Sequence, residues 1–384
     1  MRRNLMPLFR WGAPEMDQLR RTGVVSSGVV GGAGQGDACP VSARAAGRRL
    51  LICLAVLTAV DQAVVPVLRR AEAQRYESGA QLRFENSDLF MLGPLTDYLQ
   101  EHPVGAKPRA VFFGNSIVWG YGLNPDEAIP SAFQRSLPGA RVFNFAVNGF
   151  ESGNAYLISK ATIDSIDAFY LFHIGDHAHP LLAKLIDMTP EDAARFRLER
   201  PSRLQERFDQ LFGFWKLARY SYRLQAAWFG TSTRQYVYLH KGEWARRLLG
   251  RDTAHAEAAW AADAAAPAGA ERAVWHAPVA RGEVSGAMLA QLADRHWLLW
   301  DYAGLLSSHR KHGAIIEWAG GETLTEEERA AFNAHFHPYV VAATLAIPAS
   351  WRLPDGLHLN AEGTRGVAWV LAQQTAKPFG LERP

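Results

Sequence analysis

From about Lys107 onward, short apolar runs alternate with longer stretches in which apolar residues recur every three to four positions. Residues 109–113 (RAVFF), 141–147 (RVFNFAV), 168–174 (AFYLFHI) and 314–318 (AIIEW) are nearly continuous apolar runs, and 339–347 is a weaker fifth. Runs this short, with no polar face, suit strands buried on both sides of a parallel sheet. Helical periodicity falls between them, at 129–136, 153–166, 287–311 and 361–374. Strand–helix alternation predicts an α/β fold, a parallel sheet with helices on both faces, whose chemistry collects where the strands end. Residues 181–285 interrupt the alternation. This stretch is rich in Arg and aromatics (Phe208, Phe212, Trp215, Tyr220, Trp228, Tyr236) and then in Ala over 254–270. It reads as a helical insertion or lid, its aromatics forming either the insertion's own core or a surface facing glycan or membrane.

The N-terminal part has a different texture. Residues 1–49 hold Gly-rich stretches without apolar period, as in a disordered leader; a true start nearer Val41 is the alternative. Residues 50–68 (LLICLAVLTAVDQAVVPVL) follow, bracketed by Arg48-Arg49 and Arg69-Arg70. As a helix this run is about 28 Å long, against a hydrocarbon core of roughly 30 Å. Its eleven Leu, Ile and Val residues favour insertion by roughly 3 to 7 kcal/mol, and Asp61 opposes it by about 3 if central. Three readings compete: a transmembrane signal-anchor, a secretion signal cleaved near Ala71-Glu72-Ala73, and a buried soluble helix. The expected organisation is a cytoplasmic leader (1–49), a signal-anchor (50–68), a linker with an N-terminal helical region (69–106) and the α/β domain (107–384) that carries the insertion. The first two readings both put that domain outside the cytoplasm, in the periplasm or beyond the cell.

Charge supports this picture. The chain carries +3 in total and has a pI near 8.8, but residues 1–49 hold eight Arg against three acids. The remaining 335 residues therefore carry −2, so the body is not basic and no nucleic-acid groove is expected. The leader's excess falls where the positive-inside rule would keep it in the cytoplasm, a signal that Arg69 and Arg70 weaken. Cys39 and Cys53 are the only cysteines. The body thus has no disulfide framework, thiol nucleophile or thiolate metal site. The pairs His177/His179 and His335/His337 lack acidic partners at ligand spacing, so neither metal nor cofactor is expected.

The first strand ends in Gly114-Asn115-Ser116. A serine just past a buried strand stands exposed at the sheet edge, as a nucleophile or simply as the cap of a tight turn. Near the C-terminus, Asp355 and His358 are three residues apart in LPDGLHLNAEG. On one turn, the carboxylate can steady the imidazole while its other nitrogen takes the serine's proton. Asn360 is placed to cap the next helix.

At these residues the chain resembles the SGNH/GDSL hydrolase family, whose sheet is flavodoxin-like. Gly114-Asn115-Ser116 matches its Gly-Asp-Ser block with Asn in the middle, Asn144–Gly149 matches its Asn-x-x-x-x-Gly block, and Asp355 and His358 match its Asp-x-x-His block. The resemblance covers about 109–175 and 312–375. It implies Ser116 as nucleophile, His358 as general base and acid, Asp355 as its orienting partner, and the N–H groups of Ser116 and Gly149 as oxyanion donors. The third block departs: where the family has Gly-x-Asn-Asp, this chain has Gly175-Asp176-His177. A neutral imidazole on His177 can donate one N–H, and Asn154 or Asn148 are alternative donors. Asp176 and His179 also form a second Asp-x-x-His, a rival dyad for Ser116.

The resulting expectation is a membrane-anchored serine esterase or O-acyltransferase working through an acyl-serine on acyl esters, such as acetyl groups of an envelope or exported glycan. A membrane-bound partner could supply the acyl donor. The alternative is a catalytically weak accessory or glycan-binding module of a polysaccharide export or acylation assembly.

Overall fold

The structure is a computed structural model that describes residues 43–77, 92–103, 105–147, 150–178, 189–197, 217, 220, 272–280 and 282–382. The chain divides into two units, Met1–Ala55 and Val56–Pro384. The described part of the first, residues 43–55, is helical.

The second unit is built on one sheet. Strands β1 (Arg109–Phe113), β2 (Arg141–Asn144), β3 (Ala168–Phe172), β4 (Val274–His276), β5 (His312–Trp318) and β6 (Val340–Ala346) lie in the order β2-β1-β3-β5-β6-β4. All pairings are parallel except that of β4 with β6. The described helices are α1 (Ala43–Glu77), α2 (Leu92–Glu101), α3 (Ser116–Trp119), α4 (Ile129–Ser136), α5 (Ser152–Thr162), α6 (Pro190–Arg195), α7 (Gly286–Arg295), α8 (Trp297–Ser308), α9 (Glu326–Phe336) and α10 (Ala361–Thr375).

The pleat distributes each strand between two cores. Val111 and Phe113 of β1 pack with α2, α5, α8 and α9, whereas Ala110 and Phe112 pack with α4 and α10. Both faces are covered, so β1 and β3 are buried at every position. Across the β1–β3 pair, Phe112 stacks on Tyr170 at 4.4 Å between ring centres. Each such fully buried ring is worth roughly 1.5–3 kcal/mol. The strand that follows β1 lies on one side of it and the strands that follow β3 lie on the other, so the order reverses between β1 and β3, the place in an open α/β sheet where ligands bind at the C-terminal ends of the strands.

Several boundaries differ from the sequence pattern. The third run ends as a strand at Phe172 and the second at Asn144, whose side chain accepts the N–H of Ala146, although the N–H groups of Phe145 and Val147 still reach the carbonyls of Phe112 (2.8 Å) and Gly114 (3.1 Å). The 287–311 periodicity is two helices, broken at His296, which lies buried 3.5 Å from Glu328. The segment expected as a helical insertion contributes α6 but also β4, an edge strand whose Trp275 packs on the sheet; residues 181–188, 198–216, 218–219, 221–271 and 281 lie outside the described set. Helix α9 was not anticipated, although Thr325 and Glu328 form a capping box that marks its start.

Helix α1 is longer at both ends than the apolar run. Residues 47–74 are long and apolar enough to cross a membrane. Asp61 does not face outward from this helix. It is 2% exposed and accepts a 2.6 Å hydrogen bond from the N–H of Leu217. Asp61, Val65, Glu72 and Tyr76 line one buried face, while Val56, Val60, Val64 and Val67 are exposed on another.

Candidate active site

Ser116 opens α3 directly after β1. Asn115 caps this one-turn helix by accepting the Ile117 N–H at 3.0 Å. Gly114 allows the tight exit from the strand. A Cβ there would lie 2.4 Å from Val118 Cγ2 and 3.3 Å from Phe172 Cβ. Gly120 ends α3 in the left-handed region (φ 86°), and the N–H of Tyr121 folds back onto the Ser116 carbonyl at 2.9 Å. As the first residue of α3, Ser116 has an N–H with no acceptor inside the helix.

Asp355 and His358 sit in the turn before α10. The turn is organised by Asp355 itself, whose Oδ1 accepts the N–H groups of Leu357 (2.9 Å) and His358 (3.0 Å). Gly356 supplies the positive φ (68°), and the N–H of Leu353 closes on the His358 carbonyl at 2.7 Å. His358 Nδ1 then lies 2.6 Å from Asp355 Oδ2, and His358 Nε2 lies 2.9 Å from Ser116 Oγ. A carboxylate only accepts, so Nδ1 carries the proton and Nε2 is free to accept from the Ser116 hydroxyl. Burial pushes the Asp355 carboxyl up, but the hydrogen bonds from His358 and the two backbone N–H groups outweigh it and hold the pKa below its ordinary value. Asp355 therefore stays ionised near neutral pH. Asn360 caps α10 through the Gly363 N–H at 2.8 Å.

Sequence reasoning missed two neighbours. The ring of Tyr121 packs 4.6 Å from that of His358, and nothing in the motif marks it. His173, at the end of β3, is buried with Nδ1 2.9 Å from Ser152 Oγ. Ser152 Oγ also accepts the Ile174 N–H at 2.9 Å and lies 3.4 Å from the Ile174 carbonyl, while the ring's other nitrogen, Nε2, faces Asp176. That nitrogen is 3.8 Å from Asp176 Oδ1. Burial drives the His173 pKa down against the opposing charges of Asp176 and Glu317. A histidine inside an otherwise apolar strand run was the available signal.

The remaining candidates are dispersed. His177 exposes its side chain, and its backbone carbonyl accepts the Gly153 N–H at 2.9 Å. Asn154 is wholly buried in α5. Asn148, Gly149 and His179 lie outside the described residues. Asp176 faces His173, and the described partner of Ser116 Oγ is His358. His335, of the second His-x-His pair, stacks on Trp300.

Comparisons with protein-family models, curated proteins and solved structures found no match.

Proposed function

We propose that this protein is a serine-dependent acyl-ester hydrolase or O-acyltransferase of SGNH type, held at a membrane by α1. The observation that carries the reading is the line Ser116 Oγ–His358 Nε2–His358 Nδ1–Asp355 Oδ2, with distances of 2.9 and 2.6 Å across its two gaps. It is built from two segments 242 residues apart, at the C-terminal edge of a parallel sheet.

In this reading Ser116 Oγ attacks the acyl carbonyl carbon while its proton passes to His358 Nε2. Asp355 stabilises the imidazolium that forms. The N–H groups of Ser116 and Gly149 take the developing oxyanion, each such donor being worth roughly 10²–10³ in rate. The imidazolium returns its proton to the departing alkoxide, leaving acyl-Ser116. Water, or a sugar hydroxyl in the transferase case, then attacks the acyl carbon with His358 as base, and Ser116 is regenerated. The first half-reaction is common to both outcomes. The substrates that fit are small acyl esters, with those of an envelope or exported glycan favoured by the apolar helix ahead of the domain.

A second reading is an accessory module with weak or no turnover. It is favoured by His177, which stands where the family has an oxyanion Asn and turns its side chain to solvent. A fluorophosphonate probe separates the two. The enzyme reading expects labelling of the full chain that is lost in Ser116→Ala. Absence of labelling in folded wild type selects the accessory module. Mass analysis of any acyl group trapped on Ser116, with water or a glycan as acceptor, divides hydrolase from transferase.

A further inference from the structure

Tyr121 sits in the turn after α3, between the two segments that bring Ser116 and His358 together. Gly120 and Gly122, on either side of it, have positive φ (86° and 77°), a path that residues with side chains rarely adopt. The turn is tied to the nucleophile by the Tyr121 N–H, which donates to the Ser116 carbonyl at 2.9 Å. It also lies against the loop of the base: a Cβ on Gly122 would stand 3.1 Å from Leu353 Cδ1, and the Leu353 N–H donates to the His358 carbonyl. From this position the Tyr121 ring meets the imidazole of His358, with 4.6 Å between ring centres and 32° between planes. The His358 side chain is 12% exposed, so the contact is largely shielded from water.

The two nitrogens of the imidazole are engaged by Asp355 Oδ2 and Ser116 Oγ, and Tyr121 adds an aromatic surface beside them. The face of an aromatic ring carries negative charge density and attracts a cation within about 6 Å of its centre. Neutral His358 gains little from this attraction. The imidazolium that forms when Ser116 Oγ gives up its proton gains it in full. The contact therefore strengthens on the way to the transition state, which is the condition for an interaction to raise a rate.

We propose that Tyr121 is a positioning residue for the base: its ring holds the His358 imidazole between Ser116 and Asp355 and steadies the imidazolium formed during acyl transfer. The assignment rests on the serine-dependent reading of Ser116 and adds the residue that assists its base. Fluorophosphonate labelling passes through the same charge. Ser116 Oγ bonds the phosphorus, the P–F bond breaks and fluoride leaves, and the serine's proton goes to His358 Nε2.

Second-order labelling rates of the full chain in detergent, measured between about pH 5 and 9, test this. Where His358 starts neutral, Tyr121→Leu should label about 5–30-fold more slowly. On the acid limb the imidazole starts as an imidazolium already steadied by the ring, so wild type and variant should converge to within about twofold. A ring that served only as packing would lower the rate by one factor at every pH. The groups facing the imidazole are Asp355 on its own loop and Ser116 and Tyr121 from the α3 turn. Asp355 stays ionised across this range, because its hydrogen bonds hold its carboxyl below the ordinary value. Tyr121→Phe should recover most of the lost rate. Ring-fluorinated phenylalanines at position 121, alike in shape but with a weakened negative face, should lose rate step by step with fluorine number. This series decides the matter even if the leucine variant fails to fold. A wild-type-to-leucine ratio that is flat with pH, no recovery with phenylalanine, or a rate indifferent to fluorination overturns the proposal. Absence of labelling in folded wild type sinks the serine-dependent reading together with this one, whereas labelling with a flat ratio sinks this one alone.

Discussion

Replacing Asp355 with Asn tests the proton logic of the Ser116–His358–Asp355 line. Oδ1 of Asp355 accepts two backbone N–H groups, from Leu357 at 2.9 Å and His358 at 3.0 Å. An asparagine keeps those bonds only with its carbonyl oxygen in the same place, because its amide nitrogen donates. The NH₂ group then takes the Oδ2 position, which in the native protein is 2.6 Å from His358 Nδ1. A donor there forces the imidazole proton onto Nε2, the nitrogen 2.9 Å from Ser116 Oγ. The base is blocked and Ser116 keeps its proton. The equivalent change in a Ser-His-Asp triad costs about 10⁴ in rate, or about 5.4 kcal/mol at 1.36 per tenfold. The Asp355 side chain keeps 32% of its exposure, so water competes for the position. The expected loss is accordingly about 10³–10⁴. The assay is the second-order rate of fluorophosphonate labelling, with thermal unfolding run in parallel. Because both backbone bonds survive, Tm should move by no more than about 4 °C. A fall of less than tenfold in a folded Asp355→Asn protein would refute the assignment of His358 as the base.

Three further outcomes are expected. His358→Ala should abolish labelling and His179→Ala should leave most of it, the reverse pattern identifying Asp176/His179 as the operative pair. Gly114→Ala brings a methyl to 2.4 Å from Val118 Cγ2 and 2.8 Å from Val118 Cβ and should cost about 1–3 kcal/mol along with most labelling; wild-type Tm and labelling rate in that variant would show that the strand exit tolerates a side chain. The folded state disfavours protonated His173, so below its ordinary pKa of 6.5 the unfolded chain binds more protons and stability declines as pH falls. His173→Gln should flatten the pH dependence of the urea midpoint between about pH 5 and 6.5, a range distinct from that of Asp355, whose stabilising contribution is lost only as pH falls below 3.8.

Much of the scaffold was legible in the chain. The apolar runs of β1, β5 and β6 and the periodicity of α4 and α10 follow from burial on both faces or one, a property of local sequence. Harder to read were α9, where only the capping box announced the start, and β4, a three-residue edge strand that exists because β6 offers it a free edge. The break at His296 is likewise set by a partner, Glu328, from another helix.

The site divides the same way. Gly114, Ser116, Asp355 and His358 could be picked out from residue type and spacing, because a serine nucleophile needs a base and the base needs an orienting acid. Tyr121 beside His358, the Ser152–His173 contact and the Leu217 N–H on Asp61 were beyond reach, since each joins groups that no local pattern relates. Sequence alone determined the elements that bury their own apolar faces, the residue types able to move a proton, and the apolar run at the N-terminus. Only the tertiary structure decided which histidine stands 2.9 Å from Ser116 Oγ, and that Asp61 faces protein. The physical reason is that hydrophobic periodicity is written into neighbouring residues, whereas hydrogen bonds at the ends of strands depend on where distant segments are brought by the sheet.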